Sequence, residues 1–576
     1  MSGRTLLLVI LGVVVMILIM IAAGIFFFWA LQQPAPVADN SVLEVIVSGN
    51  VPEVPPANPL LQLLQPEGAD LFSLHQAFDY AARDERIKAV YLEIQPLAMG
   101  FAEIEELRDA IRHFRESKKP VHCFMALDLP GEAEMYLASA CDSITLNPGA
   151  GLLVNGLLAE VSFYKGTLEK LRIKPEFIEF KEYKNPGTYT RERMTPEYRG
   201  MLESIVRDLE ERFVTTVASD RKIDPDRLRQ LMAQGIIRDD EALREKLVDR
   251  LGYKHDVRDS LKFAKEGQEK AYKGLNVEKY RNAAADRYGV RRGTRVAFVA
   301  AEGIITSGSS EELSGIVGGN TLAALLGRLR EDKSVKGVIL RVNSPGGSVV
   351  GSEMIWEEVR LLEKQGKPVI VSMSGVAASG GYYISMNAGK IVTQPSTITG
   401  SIGVIFGKFD LSGFHDWIGV NVEQVKISPN ADIFSLNDSL SAEQRSQVEA
   451  WMADVYETFV DKVAKSREMP FDKLEGKARG RVYTGTQAKA AGLVDEIGGI
   501  RKAIEDMRQA LKLDKDEKLQ LVLYPRPKTL WESLSSGDLL PVRLPKTDLL
   551  KSWIEEEARS LMTPAPWMLA PEIRLN

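Results

Sequence analysis

Two glycine-rich turns in the second half of the chain indicate chemistry most clearly. NSPGGS at 343–348 follows an apolar run and precedes a helical pattern, and Gly346 and Gly347 allow a backbone in which N–H groups face a ligand. About 33 residues later, Ser379 precedes Gly380 at a predicted helix start, where the Gly380 N–H and the helix dipole would face a developing negative charge. Either turn alone can be structural, and Ser379 can be a helix N-cap. Together the two turns favour an oxyanion site beside a nucleophilic serine.

A nucleophilic serine needs a base. No histidine lies in a turn that resembles a member of a catalytic triad; the five are His75, His113, His122, His255 and His415. A lysine can serve if burial lowers its pKa toward neutrality. Spacing alone does not choose among the many lysines.

The chain carries one pattern twice. ERIKAVYLEIQ at 85–95 matches KSVKGVILRVN at 333–343, YLASACDSITLNP at 136–148 matches YISMNAGKIVTQP at 383–395, and two further segments match downstream. The offset stays within about a residue of 247 throughout, so the sequence predicts one fold that has been duplicated rather than a short repeat array.

Within each copy, apolar β-rich runs alternate with helical patterns of 10 to 15 residues, which predicts α/β repeats with mainly parallel strands. Each copy ends in a helical arm, near 196–221 and 442–468. The predicted organisation is an N-terminal anchor at 1–31, a first repeat at 32–264, a linker at 265–294, a second repeat at 295–510 and a C-terminal extension at 511–576.

The N-terminus predicts a single transmembrane helix. Residues 5–31 contain no charge, and 27 residues at about 1.5 Å each can cross a hydrocarbon core of about 30 Å. Arg4 precedes the span, and the next basic residue is Arg83, so the charge asymmetry predicts a cytoplasmic N-terminus with the body on the opposite side. The opposite orientation is the alternative.

Composition excludes one class of partner. The 73 basic and 79 acidic residues give a net charge of -6 without a long run of like charge, so no nucleic-acid partner is expected. The two cysteines, Cys123 and Cys141, can be buried thiols or one disulfide, and their spacing suggests no metal.

These motifs carry a resemblance. NSPGG, then ASGGYY and TITGSIGV, with an N-terminal span and a duplicated body, resemble the signal peptide peptidase A family in its long, two-repeat form, which is related to the Clp protease and crotonase folds. The resemblance implies a Ser/Lys dyad protease that degrades cleaved signal peptides at the outer face of the inner membrane. It also implies a homotetramer and no cofactor. Its nucleophile falls on Ser379, its general base on Lys184 in FKEYKNPGTYT, and its lysine-orienting serine on Ser401.

The duplication tests this assignment independently. At an offset of 247, Ser379 corresponds to Glu132 in the first copy, and Lys184 corresponds to Ala431 in the second. The turn that matches Gly346 and Gly347 reads Ala-Met at 98–99. Each copy therefore keeps one half of a site, and the sequence predicts one site per chain, at the interface between the repeats.

The resulting hypothesis is a membrane-anchored serine endopeptidase with Ser379 as nucleophile, Lys184 as base, and Gly380, Gly346 and Gly347 as the oxyanion hole. Two alternatives remain at this stage. A crotonase-like thioester enzyme would use the same turns, and a non-enzymatic membrane scaffold would use neither.

Overall fold

The structure, a computed structural model, describes residues 37–58, 70–185, 187–264, 270–290, 292–310, 315–514 and 516–526, together with Met16 and two short strands at 567–569 and 574–575. Within these ranges no helix is both long and apolar enough to cross a bilayer. The predicted transmembrane segment at 5–31 lies outside the described residues apart from Met16.

The described part of the first repeat contains ten strands. They are β1 (Ser41–Gly49), β2 (Ile87–Leu97), β3 (Val121–Met125), β4 (Ser143–Leu146), β5 (Gly151–Leu152), β6 (Ala159–Glu160), β7 (Lys174–Glu179), β8 (Ile237–Arg238), β9 (Arg250–Leu251) and β10 (Gly274–Asn276). Six form a parallel sheet in the order β10-β1-β2-β3-β4-β9, and β5 pairs with β8. The helices are Leu71–Arg83, Phe101–Glu116, Glu132–Ala138, Lys165–Lys170, Pro196–Arg221, Pro225–Met232, Asp239–Arg244, Lys254–Ser260 and Val277–Tyr288.

The second repeat and the tail contain the remaining strands. They are β11 (Thr294–Glu302), β12 (Ile304–Thr306), β13 (Ile316–Gly318), β14 (Val335–Ser344), β15 (Gly346–Ser348), β16 (Val369–Ala378), β17 (Lys390–Thr393), β18 (Ile398–Gly400), β19 (Ile405–Asp410), β20 (Val482–Thr484), β21 (Glu496–Ile497), β22 (Leu519–Tyr524), β23 (Trp567–Leu569) and β24 (Arg574–Leu575). The main sheet runs β20-β18-β16-β14-β11-β22, with β17 beside β16 and β21 beside β17. The helices are Gly319–Glu331, Val349–Lys364, Gly380–Ser385, Ser412–Ile418, Ala442–Ser466, Phe471–Glu475, Gly485–Ala491 and Ile500–Ala510.

The predicted duplication is visible in individual contacts. Lys119 of the first repeat donates to the carbonyl of Asp84 at 2.7 Å, just after a helix C-terminus. Lys367 of the second donates to the carbonyl of Asp332 at 2.6 Å at the matching place. Each lysine also donates to a carbonyl in the last turn of that helix, Lys119 to Ala81 and Lys367 to Leu329, both at 2.7 Å, where the helix offers no N–H of its own.

The long arms begin at capped positions. Thr195 accepts from the Tyr198 N–H, and Ser441 accepts from the Gln444 N–H, so the helices Pro196–Arg221 and Ala442–Ser466 start where the sequence places an N-cap. These bounds agree with the predicted arms at 196–221 and 442–468, apart from the last two residues of the second.

A mixed sheet joins the two repeats. Its order is β13-β12-β15-β23-β19-β7, so β7 of the first repeat lies within a sheet otherwise built from the second repeat and the tail. β7 and β19 pair antiparallel over six residues, from Lys174 opposite Asp410 to Glu179 opposite Ile405. This pairing carries the loop after β7, and with it Lys184, onto the second repeat.

A buried ion network fixes the same interface. Arg341 of β14 is fully buried and contacts Glu53 at 2.7 Å and Glu106 at 3.0 Å, both from the first repeat. Glu103 accepts from the Asn343 side chain at 2.9 Å. Loss of one partner would leave a buried charge uncompensated, which is costly, so the network allows few relative positions of the repeats.

Some elements at 265–294 and 511–576 pair with the sheets of the repeats or pack on them. β10 and the helix Val277–Tyr288 pack on the first repeat, and β22 pairs with β11 at the edge of the second sheet. Cys123 and Cys141 are buried free thiols, so the first of the two alternatives for the cysteines holds.

Candidate active site

Ser379 lies in a sharp turn between a strand and a helix. β16 ends at Ala378, the helix Gly380–Ser385 begins directly after Ser379, and Ser379 itself has φ 56° and ψ −113°. Residues with a Cβ rarely adopt this conformation, so the surrounding structure must hold the strain. The Ser379 N–H donates to the Gly400 carbonyl at 2.8 Å, which ties the turn to the end of β18.

Lys184 is held by two glycines of the second repeat. Gly480 has φ 82°, and a Cβ there would lie 2.5 Å from the Lys184 Cα. A Cβ on Gly403 would lie 3.1 Å from the Lys184 Cδ. The backbone of the second repeat therefore contacts both the main chain and the side-chain stem of Lys184, and larger residues would displace it.

The structure brings Lys184, Ser379 and Ser401 together. The Lys184 Nζ lies 2.6 Å from the Ser379 Oγ and donates to the carbonyl and hydroxyl oxygens of Ser401, both at 3.0 Å. All three residues are buried, with Lys184 only 2% exposed.

Burial lowers the pKa of Lys184 well below its usual 10.5. None of the ion pairs among the described residues includes this lysine, so no carboxylate offsets the loss of hydration. A neutral amine has one lone pair and two N–H groups. The three contacts of Nζ match that inventory: the Ser379 hydroxyl can donate to the lone pair while the two N–H groups donate to Ser401.

Ser401 is placed by its own strained backbone. Its φ is 51°, and its N–H donates to the Arg481 carbonyl at 2.7 Å. It follows β18 directly, so the strand that anchors Ser379 also presents both Ser401 oxygens to Lys184.

The predicted oxyanion glycines are adjacent to one another. A Cβ on Gly380 would lie 3.0 Å from the Gly347 nitrogen and 3.0 Å from the Gly346 Cα, so Gly380 packs directly against the turn of the other two glycines. Gly347 has φ 149°, and a Cβ there would lie 2.0 Å from the Ile305 carbonyl oxygen. The Gly346 N–H donates to the Ser344 Oγ at 3.1 Å.

Two further residues support the candidate site but are not recognisable from the sequence. The Ser352 Oγ is buried, has no hydrogen-bond partner among the described protein atoms, and lies 2.7 Å from the position of a Cβ on Gly380. Glu103 of the first repeat holds Asn343, three residues before Gly346. A serine on a helix and a glutamate in an amphipathic pattern carry no distinguishing signal in one sequence.

In the first repeat the residue that corresponds to Ser379 is a hydrogen-bonded glutamate. Glu132, which corresponds to Ser379, accepts from the N–H groups of Asn155 and Gly156, both at 2.7 Å. Ala431, which corresponds to Lys184, is exposed in a loop of the second repeat. The carboxylate of Glu132 is thus held by backbone N–H groups of its own repeat.

Comparison of the sequence with known proteins assigns the chain to a family. The model of peptidase family S49 matches residues 113–268 and 362–514, one segment in each repeat. The chain belongs to peptidase family S49. The Clp protease model also matches residues 312–397, which contain both glycine-rich turns, so this S49 chain has an α/β fold with Clp protease-like similarity.

Proteins similar to this S49 peptidase are named as proteases or peptidases. Serine protease SPPA, chloroplastic, from Arabidopsis thaliana is 32% identical over 477 residues, 82% of this chain and 70% of that protein. Protease 4 from Salmonella typhi is 34% identical over 457 residues, 77% of this chain and 72% of that protein. A putative signal peptide peptidase SppA from Enterococcus faecium is 38% identical over 188 residues, 33% of this chain and 55% of that protein. The chain is therefore a serine protease, and the thioester-enzyme and scaffold alternatives are set aside.

Proposed function

We propose that this S49 peptidase is a membrane-anchored serine endopeptidase with a Ser379/Lys184 dyad that degrades cleaved signal peptides and other unfolded apolar peptides. One observation carries the proposal: a buried lysine amine with a lowered pKa lies 2.6 Å from the hydroxyl of a strained serine. A lysine can act as a base only while its amine is neutral, so its pKa must be lowered for it to act at ordinary pH.

The mechanism follows from the contacts. The Ser379 Oγ attacks the scissile carbonyl carbon while its proton passes to the Lys184 Nζ. As the C–N bond breaks, Lys184 returns that proton to the leaving amine and an acyl-enzyme ester remains. Water then attacks the ester, gives a proton to Lys184, and releases the carboxylic product as the Ser379 Oγ is reprotonated. Ser401 orients Nζ in each step through its two oxygens.

The oxyanion hole is proposed at Gly347 and Gly380. Gly380 directly follows Ser379, and a Cβ on Gly380 would lie 3.0 Å from the Gly347 nitrogen. Gly346 is less suited because its N–H already donates to the Ser344 Oγ, so it shapes the turn. Preorganised donors of this kind stabilise the charge that develops in the transition state.

The proposed location follows from the N-terminus. The uncharged segment 5–31 would anchor the chain in the inner membrane, with Arg4 on the cytoplasmic side and the catalytic body in the periplasm. Cleaved signal peptides are apolar segments of the same bilayer, and the Enterococcus faecium relative is named a signal peptide peptidase.

We also propose that the chain assembles with itself, as the family resemblance to a homotetramer implies. β7 of the first repeat pairs with β19 of the second, whereas the counterpart of β7 in the second repeat is 421–426, which is exposed and is not a strand. Val425 is 98% exposed and Ile427 is 99% exposed. The same pairing between neighbouring chains would join 421–426 to 158–163 of the next copy and bury this apolar edge.

An active-site probe tests the dyad. A fluorophosphonate should label the wild-type protein in detergent, and labelling should fall to background in Ser379→Ala and Lys184→Ala. Lys170→Ala, which removes an exposed lysine of the first repeat, should label like the wild type. Degradation of a synthetic signal peptide, followed by mass spectrometry, should show the same dependence. Full labelling and peptide cleavage in both dyad variants would refute the proposal.

A further inference from the structure

The hydroxyl of Ser352 is buried next to the proposed oxyanion hole. Ser352 is the fourth residue of the helix Val349–Lys364 and is fully buried. A Cβ on Gly380 would lie 2.7 Å from the Ser352 Oγ. The same Cβ would lie 3.0 Å from the Gly347 nitrogen. The hydroxyl and the two proposed donor residues therefore meet around one point.

The Ser352 hydroxyl has no acceptor among the described residues. A serine within a helix can donate to a carbonyl three or four residues earlier. The buried Ser385 does so, since its Oγ donates to the Gly381 carbonyl at 2.7 Å. A buried hydroxyl without a partner is unfavourable. The proton of Ser352 is therefore available to an acceptor that the described protein atoms do not supply.

The repeat without the nucleophile has no hydroxyl at this place. The helices Phe101–Glu116 and Val349–Lys364 both have 16 residues and correspond in the duplication. Aligned from their first residues, Ser352 corresponds to Ile104, which is also fully buried. An apolar side chain thus serves the packing of this helix in the first repeat. The hydroxyl is present in the repeat that carries Ser379.

The missing acceptor can come from the substrate. When Ser379 attacks, the oxygen of the scissile carbonyl becomes negatively charged and must lie against the N–H groups of Gly347 and Gly380. The Ser352 Oγ lies beside these two residues, and its proton can rotate toward the charge while the heavy atoms stay in place. A hydrogen bond that forms mainly in the transition state raises kcat rather than affinity for the substrate.

We propose that Ser352 is a third donor of the oxyanion hole, whose hydroxyl donates to the oxygen of the tetrahedral intermediate beside the N–H groups of Gly347 and Gly380. This inference rests on the proposed function. It gives the helix Val349–Lys364 a catalytic side chain in addition to its place behind the Gly-Gly turn. The hydroxyl that has no protein partner before the reaction becomes paired in the transition state.

The variant Ser352→Ala tests the proposal. Its kcat on an apolar peptide should fall at least about tenfold with little change in KM, since loss of one oxyanion donor commonly costs about 10²–10³ in kcat. Its urea unfolding midpoint should not fall, because alanine leaves no buried hydroxyl unpaired. Ser466→Ala is the control and should keep the wild-type kcat, since this helical serine donates to the Val463 carbonyl within its own helix.

A peptide aldehyde measures the oxyanion contact directly. The Ser379 Oγ adds to the aldehyde carbon, the hydroxyl proton passes to Lys184, and the aldehyde oxygen becomes an oxyanion with no bond left to break. Its inhibition constant should rise in Ser352→Ala by about the factor by which kcat/KM falls. The pH midpoint of kcat/KM, which Lys184 sets, should stay at the wild-type value. A shifted midpoint or a lower unfolding midpoint would make Ser352 a packing residue and overturn the proposal.

The fluorophosphonate separates the two proposals. If no form of the chain is labelled at Ser379, the proposed function fails. If the wild type is labelled and Ser352→Ala equals it in kcat and in aldehyde affinity, the peptidase stands and the third donor is refuted.

Discussion

The Lys184 Nζ lies 2.6 Å from the Ser379 Oγ, although the two residues are 195 positions apart and belong to different repeats. β7 and β19 bring them together, and the buried contacts of Arg341 hold the repeats in that arrangement. Neither repeat contains both groups. An isolated repeat, even if it folds, is therefore expected to lack peptidase activity.

The activity should follow the deprotonation of Lys184. Because burial lowers the pKa of this lysine below 10.5, kcat/KM should rise with pH through that lowered value and then level off. The measurement is a pH profile of kcat/KM on an apolar peptide. A histidine-like limb that persists in Lys184→Ala would contradict the lysine base.

Lys184 should also lower the free energy of unfolding. Between its lowered pKa in the folded state and 10.5, the unfolded chain binds a proton at Lys184 that the folded chain does not bind. The free energy of unfolding therefore rises with pH across that window, by about 1.4 kcal/mol per pH unit from this group. Lys184→Met keeps an apolar side chain of similar length and removes the amine.

Lys184→Met should consequently unfold at higher denaturant concentration than the wild type below pH 10.5 and should lose that part of the pH dependence. Urea unfolding curves at several pH values measure both effects. Lys170→Met, at an exposed position, is the control and should leave the curve unchanged. Equal stability of Lys184→Met and wild type at neutral pH would mean that the lysine is charged in the folded chain.

Much of the site could be predicted from the sequence because its parts are unusual. Two Gly-Gly turns that follow successive strands indicate an oxyanion site. The duplication shows that the first repeat has no serine in the place of Ser379 and the second has no lysine in the place of Lys184. Ser352 and Glu103 could not be found in this way. Their roles depend on which helix face meets Gly380 or Asn343, and a single sequence does not contain that information.

Gly480 should be required for the position of Lys184. Alanine at this position would place a Cβ 2.5 Å from the Lys184 Cα, in a backbone conformation with φ 82° that favours glycine. Gly480→Ala should lower kcat by at least about tenfold, because a displacement near 1 Å weakens catalysis strongly. Gly476→Ala is the matched control: its φ is −62°, and the nearest atom lies 3.7 Å from the new Cβ. Equal activity of the two variants would show that Lys184 tolerates the shift.

The α/β class and the mainly parallel strands of each repeat followed from the alternation of apolar and helical patterns, but the sheet that joins the repeats did not. β7, β15 and β19 are short, and their partners come from distant parts of the chain. Pairing of this kind depends on how the main sheets are placed, which local pattern does not encode. The tail strand β23 has only three residues and gives no periodic signal at all.

The duplication predicts the register of the proposed contact between copies. In the chain, Phe406 lies opposite Ile178. At the offset of 247 this pair becomes Ala159 of one copy opposite Val425 of its neighbour. Residues directly opposite in an antiparallel pair have Cα atoms about 4.5 to 5.5 Å apart, which suits a disulfide. Ala159→Cys with Val425→Cys should therefore give a covalent oligomer under mild oxidation, seen on non-reducing gels.

Ala159→Cys with Asn421→Cys shifts the second thiol by four residues, about 13 Å along the strand, and should cross-link far less. Cys123 and Cys141 are buried and should not interfere. Val425→Asp should lower the oligomer mass in light scattering, because a charge would then lie in the paired edge. Equal cross-linking of both cysteine pairs, or an unchanged mass of Val425→Asp, would place the contact between copies on another surface.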